Sequence, residues 1–327
     1  MRKLWERIWP VLKWLVPAVI LAFVGWHFAK ILDRSEWSAA RFDLGLGWLL
    51  LSGGLYLTSH TIWASFWSDL LRAQSVDVPR GLGVRTYFVS QLGKYVPGKA
   101  WVILLRMAML RRHSERKGAI ALAATYETLT TMAAGSLVGL LLLPWLGERA
   151  ALFADKEWML IALVGLPMCV GVAQRLLGKR AKKTADTTVR PKFRLTLLLR
   201  GLLQASVGWV LMGLSLWACL RGLTPSVESL TLDVALRFTA MSALAYVIGF
   251  AALVVPGGVG VREWLILSML TVELAGTDQP AALAAVAALT LRLVWTASEL
   301  LVIAGIYVAK FRYSDGSNSP RPEDVHA

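Results

Sequence analysis

Charged side chains lie in the middle of long apolar stretches of this sequence. Glu127 lies about ten residues into the apolar run 117–143, which is ~15 Å along a helix. A carboxylate at such a depth in a bilayer costs free energy unless it is paired, so an intramembrane charge indicates a functional site. The alternative for Glu127 is a structural ion pair with an arginine of the nearest broken helix.

Arg292 and Glu299 place two further charges in the last apolar run. They are seven residues apart, so they share one face of a helix and lie ~10 Å from each other along its axis. That separation is too long for a direct ion pair, so each is expected to meet a partner from another helix. For Glu299, a solvated position near the cytoplasmic end of the span is the alternative to a functional role.

Two Pro-Gly breaks interrupt apolar helical runs. The first is Gly93-Lys94-Tyr95-Val96-Pro97-Gly98-Lys99-Ala100-Trp101, and the second is Val255-Pro256-Gly257-Gly258-Val259-Gly260-Val261-Arg262-Glu263. Proline removes a backbone donor and glycine adds backbone freedom, so a helix ends at each break. At membrane depth, irregular backbone is tolerated only where it is buried in protein or lines a wet cavity. Matching breaks in two halves of a sequence predict the binding site of a transporter.

The side chains at the breaks have the chemistry of a phosphate receptor. Lys99 and Arg106 share a helical face, and the free N–H groups at Gly98 lie at the positive end of a half-helix. Arg262 and Glu263 begin the second half-helix in the same manner. The candidate substrate-binding residues are Lys94, Tyr95, Pro97, Gly98, Lys99, Arg106, Glu127, Pro256, Gly257, Gly258, Arg262, Glu263, Arg292 and Glu299.

Other interpretations stay open for several of these residues. Lys94 and Arg106 could extend to the cytoplasmic interface, with only their stems in the apolar region. The glycines of the second break could form no more than a tight turn between spans. Tyr95 and Trp101 could stack on a headgroup, but interfacial aromatic residues are common and the ordinary interfacial role is preferred.

The composition predicts a polytopic membrane protein. Of 327 residues, 56% are hydrophobic and only 17% are charged, whereas a soluble domain has roughly a quarter charged residues. A net charge of +14 would suggest nucleic-acid binding in a soluble protein, but here the basic residues cluster at the ends of apolar runs. This pattern indicates contact with anionic lipid headgroups at the cytoplasmic face, and no nucleic-acid partner is expected.

About six full transmembrane helices are expected, since each requires about 20 apolar residues. Their ranges are 11–32, 46–70, 117–143, 157–177, 196–220 and 280–309. Short loops rich in Lys and Arg stay in the cytoplasm, and their distribution places both ends of the chain there. The first span follows basic residues and lacks a cleavage site, so we expect a signal anchor.

The stretches 81–112 and 234–276, which hold the breaks, must each cross the membrane an even number of times. The short half-segments of the first favour a re-entrant hairpin; for the second, two full spans are an open alternative, with eight spans in all if the hairpins cross. Because the stretches enter from opposite faces, we expect an inverted repeat. The repeats are roughly 46–143 and 196–309, within one membrane domain (1–313) followed by a disordered cytoplasmic tail (314–327).

Recognisable catalytic motifs are absent from the sequence. It contains no phosphate-binding Gly-x-x-x-x-Gly-Lys-Ser/Thr loop, no Ser/His/Asp set and no metal-ligand spacing among its four histidines. Cys169 and Cys219 fall in apolar runs, where packing is their expected role. We therefore expect no cofactor, no metal and no enzymatic activity.

At the two breaks the sequence resembles the lysylphosphatidylglycerol synthetase transmembrane-region family, also called the flippase-like domain family. The Lys-Tyr-x-Pro-Gly-Lys and Pro-Gly-Gly-x-Gly-x-Arg-Glu motifs carry the resemblance, which extends to the order of the spans. It implies a bacterial inner-membrane protein related to the flippase half of the multiple peptide resistance factor. In that factor, a soluble domain adds lysine to phosphatidylglycerol; no such domain is expected here.

The sequence therefore predicts a lipid translocase that moves a phospholipid or lipid-linked headgroup across the membrane. Membrane phospholipids are its expected partners, together with a homo-oligomer or a cell-envelope enzyme. One alternative is a membrane-embedded transferase acting on a lipid, with Glu127 or Glu263 as general base. Another is a non-transporting scaffold for cell-envelope enzymes.

Overall fold

A computed structural model describes residues 45–95, 101–154, 195–225, 227–251 and 261–316. In these ranges the regular elements are helical, so the fold class is all-α. The α-helices are α1 (Leu46–Ala73), α2 (Arg80–Ser90), α3 (Trp101–Leu110), α4 (Lys117–Leu141), α5 (Ala151–Ala154), α6 (Leu195–Arg221), α7 (Leu232–Ala251), α8 (Val261–Glu273) and α9 (Pro280–Gly316). Short 3-10 helices, Gln91–Tyr95 and Leu143–Ala150, follow α2 and α4. The spans expected at 11–32 and 157–177 and the tail beyond 316 lie outside the described residues.

Three described helices are long and apolar enough to cross a membrane: α6, α7 and the Pro280–Val308 part of α9. A fourth candidate combines α4 with the segment Leu143–Phe153, and the two parts are bent by 70°. Helix α1 has 28 residues, about 42 Å in length, but Ser, Thr, His and Tyr side chains lower its mean hydropathy. Many of these polar side chains are buried, so α1 has a polar face toward the protein interior.

Helix α6 has one exposed apolar side and one side of small residues that packs against other helices. Its exposed apolar residues recur every three or four positions and form one stripe: Leu195, Leu199, Leu203, Val207 and Val210. The opposite face carries Gly201 and Gly208, and beyond the stripe Gly213 is buried against Thr239 of α7; the missing side chains let other helices come close. An apolar stripe on the outside and small residues on the inside are typical of a helix in a membrane bundle.

Helices α1 and α6 form the centre of the fold and run antiparallel along their whole length. The Ser52 hydroxyl donates to the Ser215 carbonyl, and the Ser215 hydroxyl donates to the Ser52 carbonyl, both at 2.8 Å. Seven residues further along α1, the Ser59 hydroxyl donates to the Gly208 carbonyl at 3.0 Å, seven residues back along α6. Polar contacts of this kind hold two helices in register where hydrophobic burial does not distinguish protein from lipid.

The other helices pack around this pair in a repeating arrangement. Helix α1 packs against α2, α4 and α9, and α6 packs against α7, α9 and α4. Within each half, the short helix after the break packs on its neighbours: α3 on α2 and α4, and α8 on α7 and α9. Every packing relation of the first half named here therefore has a counterpart in the second.

The helices on either side of each break return toward each other. Helices α2 and α3 have 11 and 10 residues, about 15 Å each, which is half of the hydrocarbon thickness. A Cβ on Gly93 would lie 2.7 Å from the backbone nitrogen of Val102, so the chain reverses between them. In the second half, α7 has 20 residues and α8 has 13, so only α7 is long enough to cross. The break residues 96–100 and 252–260 lie outside the described residues.

Replacing Gly213 by valine is expected to destabilise the fold by about 1–3 kcal/mol, the usual cost of overpacking. A Cβ at this position would overlap the backbone of Thr239 on α7, which cannot move aside as a flexible side chain can. Thermal unfolding in detergent measures the effect. The control is Gly54→Val on α1, where a Cβ would meet nothing within 4 Å. Equal losses of stability for both variants would contradict this account of α6–α7 packing.

Candidate functional site

A buried ion pair joins α3 to α4. The Arg106 guanidinium donates from Nη1 to Glu127 Oε2 at 3.0 Å and from Nε to the Ser90 hydroxyl at 3.1 Å. The Thr131 hydroxyl donates to the other carboxylate oxygen, Oε1, at 3.3 Å. Arg106 is only 1% exposed, so its extension to the interface, one of the interpretations that the sequence allows, is wrong. The alternative to a functional role for Glu127 was a structural ion pair with an arginine of the nearest broken helix, and Arg106 is such an arginine.

Aromatic rings complete the surroundings of Arg106. Its guanidinium carbon lies 4.6 Å from the ring centre of Trp67 and 4.7 Å from that of Tyr87. Cation–π contacts of this length are strongest where water is excluded, as it is here. The protein therefore supplies Arg106 with a counter-charge, a hydrogen-bond acceptor and two aromatic contacts.

A second buried pair joins the end of the first half to the last helix. Lys94, in the 3-10 helix before the break, donates from Nζ to Glu299 Oε1, and the Tyr56 hydroxyl donates to the same oxygen. Glu299 is 1% exposed, so it does not have the solvated position that was its alternative. Lys94 is 25% exposed at the side chain and ion-paired. Three separate elements, α1, the 3-10 helix and α9, therefore converge on one carboxylate.

Aromatic side chains surround this carboxylate. Tyr56 stacks on Trp295 of α9 with ring centres 5.0 Å apart and an angle of 17° between planes. His60, one turn along α1, also packs against Tyr56, with ring centres 4.1 Å apart. The Nδ1 atom of His60 is 3.1 Å from the Tyr56 carbonyl oxygen. These side chains form a continuous buried layer between α1 and α9.

A third cluster lies where α8 meets α9, just after the second break. Arg262 donates from Nη2 to Glu263 Oε1 at 2.9 Å, and Arg292 donates from Nη1 to the same oxygen. The Arg262 guanidinium also lies 4.6 Å from the ring centre of Tyr246 and 5.7 Å from that of Trp295. The three charged side chains line a narrow cleft together with Trp295.

The three clusters lie in the interior of the helix bundle and close to one another. Tyr56, Glu127 and Arg292 each lie ten or more residues, about 15 Å or more, from the first residue of their helices. Trp295 contacts both Tyr56 of the second cluster and Arg262 of the third. Arg292 and Glu299 do not contact each other but have separate partners, as their spacing predicts. The described part of the chain thus brings seven of the candidate charges toward its centre.

The remaining candidates belong to the breaks themselves. Pro97, Gly98, Lys99, Pro256, Gly257, Gly258 and the side chain of Tyr95 lie outside the described residues. Trp101 begins α3 and is 36% exposed. Within the part that is described, no group of three His, Cys, Asp or Glu side chains is placed to hold a metal ion.

Several residues of the site were not predicted from the sequence. Tyr56 and His60 are one turn apart on α1, and this polar pair inside an apolar run is a signal that could have identified them. Trp295 and Tyr246 gave no signal, because an aromatic residue in a membrane helix is usually ordinary packing. A further cluster lies at the far end of α8, where Arg149 Nε is 2.6 Å from Glu273 Oε2.

Comparison with known proteins agrees with the resemblance noted at the two breaks. The family model of the lysylphosphatidylglycerol synthase TM region matches residues 11–302. No curated protein matches the chain. The matched range includes both breaks and all three charge clusters. Because it covers most of the sequence, the chain belongs to the lysylphosphatidylglycerol synthase TM region family.

Proposed function

We propose that this protein is a lipid translocase, which moves a phospholipid or lipid-linked headgroup across the membrane. One observation carries the proposal: four cations and three carboxylates converge in the interior of a membrane domain. They are Lys94, Arg106, Arg262, Arg292, Glu127, Glu263 and Glu299. Ionised side chains are expensive at such a depth and mark substrate pathways in membrane proteins. A family of membrane domains linked to lipid handling is the appropriate context for such a pathway.

The two halves of the described fold are inverted repeats in this proposal. The antiparallel contact of α1 with α6 supports it, as do the matching neighbours of these helices. The charge pairs also correspond, with their signs exchanged. In the first half the cation, Arg106, is on the short helix and Glu127 is on the long one; in the second, Glu263 is on the short helix and Arg292 is on the long one.

Transport follows from motion of one repeat against the other. The phosphate of the headgroup is received by Arg262 and by the N-termini of α3 and α8, the half-helices that follow the breaks. Lys99 stays a candidate from the sequence for the same role. Glu127 and Glu299 balance the buried cations, and the acyl chains remain in lipid. Ion pairs between the repeats, such as Lys94–Glu299, hold one conformation and must separate in the other.

The test is a headgroup-accessibility assay in proteoliposomes. Vesicles carry a fluorescent phospholipid, and a membrane-impermeant reductant destroys the label in the outer leaflet. We expect vesicles with the protein to lose more label than protein-free vesicles, because lipid from the inner leaflet becomes accessible. The assay is repeated with a panel of anionic and zwitterionic lipids. If vesicles with the protein lose no more label than protein-free vesicles for any of these lipids, the proposal is contradicted.

Other expectations stay predictions. These are the location in the bacterial inner membrane, the cytoplasmic position of both ends of the chain, the absence of enzymatic activity, and a homo-oligomeric or cell-envelope partner. The transferase and scaffold alternatives differ from transport in a measurable way. A transferase converts radiolabelled lipid into a new product, and a scaffold retains its function when the buried charges are neutralised.

A further inference from the structure

The cluster on α8 and α9 differs in charge from the other two. In the described contacts, Arg106 has Glu127 and Lys94 has Glu299, one carboxylate for each cation. In the third cluster two guanidinium groups, Arg262 and Arg292, bind the same oxygen of Glu263. The third cluster therefore carries one more positive charge than negative charge among its own three residues.

Arginine pairs of this kind suit an anion with several oxygens. The guanidinium group is planar and always charged, and its parallel donors match phosphate geometry. Side-chain exposures of 13%, 19% and 16% for Arg262, Glu263 and Arg292 show that this cluster is more accessible than Arg106 at 1%. Among the arginines of the three clusters, the more accessible ones are thus those with the excess charge.

The cleft beside these arginines is too narrow to hold a ligand in the present conformation. It is lined by the three charged residues together with Ile266, Ala288, Leu291 and Trp295, and it has no room for a water molecule. The Glu263 carboxylate lies between the two guanidinium groups, in the position where an external anion would bind both. A carboxylate and a phosphate cannot both occupy that position.

We propose that Arg262 and Arg292 bind a lipid phosphodiester, and that Glu263 is a built-in competitor which the phosphodiester displaces. This inference rests on the proposed function and specifies its substrate class. Once the Glu263 carboxylate is displaced, the two guanidinium groups carry two positive charges, of which one phosphodiester neutralises one. A cationic amine beside the phosphate would add positive charge to a site that still has an excess, so a net anionic headgroup is preferred.

The test is lipid binding by the purified full-length protein in mild detergent, measured by native mass spectrometry. The probes are phosphatidylglycerol, phosphatidylethanolamine and inorganic phosphate. Glu263→Gln is expected to bind phosphatidylglycerol about tenfold more tightly than wild type, because a neutral amide competes less for the arginines. Arg292→Gln is expected to bind it about tenfold more weakly. Arg200→Gln, a 63% exposed arginine on α6, controls for general attraction between a basic protein and anionic lipid.

Thermal unfolding in the presence and absence of phosphatidylglycerol gives a second measure of binding for a variant that folds poorly. A ligand that binds only the folded state raises its unfolding temperature, so phosphatidylglycerol should stabilise Glu263→Gln more than wild type. Glu263→Asp, which keeps the charge on a shorter side chain, should give an intermediate result. Weaker or unchanged phosphatidylglycerol binding by Glu263→Gln would overturn the competition. Equal binding of phosphatidylethanolamine by wild type would overturn the charge selection.

The outcomes separate this inference from the proposed function. Inhibition of phosphatidylglycerol binding by millimolar inorganic phosphate would show that the site recognises phosphate as such, and would overturn the assignment to a lipid diester. If the binding pattern is as expected but proteoliposomes show no translocation, the site stands and the translocase proposal fails. If translocation occurs and Arg292→Gln does not change phosphatidylglycerol binding, the translocase proposal stands and this inference fails.

Discussion

Replacing Arg106 by alanine is expected to lower the free energy of unfolding by about 3–5 kcal/mol, the usual cost of breaking a buried ion pair from one side. The substitution leaves the Glu127 carboxylate without its guanidinium in a site that is 3% exposed. It also removes a hydrogen bond to the Ser90 hydroxyl and two contacts with aromatic rings. Because α3 and α4 meet at this pair, the first hairpin should detach from the bundle.

Thermal unfolding in detergent, together with the monodisperse yield in size-exclusion chromatography, measures this loss. The double variant Arg106→Leu with Glu127→Leu should recover most of the stability, since apolar side chains of similar size often replace a buried pair without net cost. Arg72→Ala is the control, because its pair with Asp69 is 4.0 Å long and Arg72 is 38% exposed. Exposed pairs contribute about 0–1 kcal/mol. A double variant less stable than Arg106→Ala would contradict a structural role for the pair.

The sequence predicted the apolar helices well, because a bilayer requires a long apolar run. The ranges 117–143, 196–220 and 280–309 correspond to α4, α6 and the apolar part of α9. The range 46–70 was predicted as a span, but the prediction did not use its polar residues, which form a face toward the protein interior. Hydropathy averages over all faces of a helix, so it does not show which face meets protein.

The sequence also identified the buried charges but not their partners. Lys94 and Glu299 are 205 residues apart, and no local spacing predicts their contact. For Arg106, helical periodicity gave the face of the side chain but not whether that face meets lipid, water or α4. The partner depends on how α3 folds back after the break, and that is a property of tertiary packing. Such charges can be located from sequence, but their pairing requires the fold.

Neutralising Glu299 by glutamine is expected to slow headgroup translocation by at least about thirtyfold, since truncating one partner of a buried charge pair costs 2–5 kcal/mol or more. Glu299 is on α9 of the second half, and its partners Lys94 and Tyr56 are in the first. The pair therefore bridges the two repeats that the proposed mechanism moves against each other. Without the carboxylate, the conformation described here loses the contact that holds its repeats together, so its population falls and the transport cycle, which must pass through it, slows.

The rate is to be measured in proteoliposomes with equal amounts of folded protein, so that loss of stability does not imitate loss of transport. Glu228→Gln is the matched control, because Glu228 is 65% exposed at the side chain and pairs with Arg237 away from the three clusters. The double variant Lys94→Glu with Glu299→Lys exchanges the two charges and should restore part of the rate. The attraction requires opposite charges but does not depend on which repeat carries the positive one. The exchange cannot restore all of the rate, because the Tyr56 hydroxyl would then face an ammonium group in place of a carboxylate. If Glu299→Gln transports as fast as Glu228→Gln, the ion pair does not control the motion of the repeats and serves only to join α9 to the first hairpin.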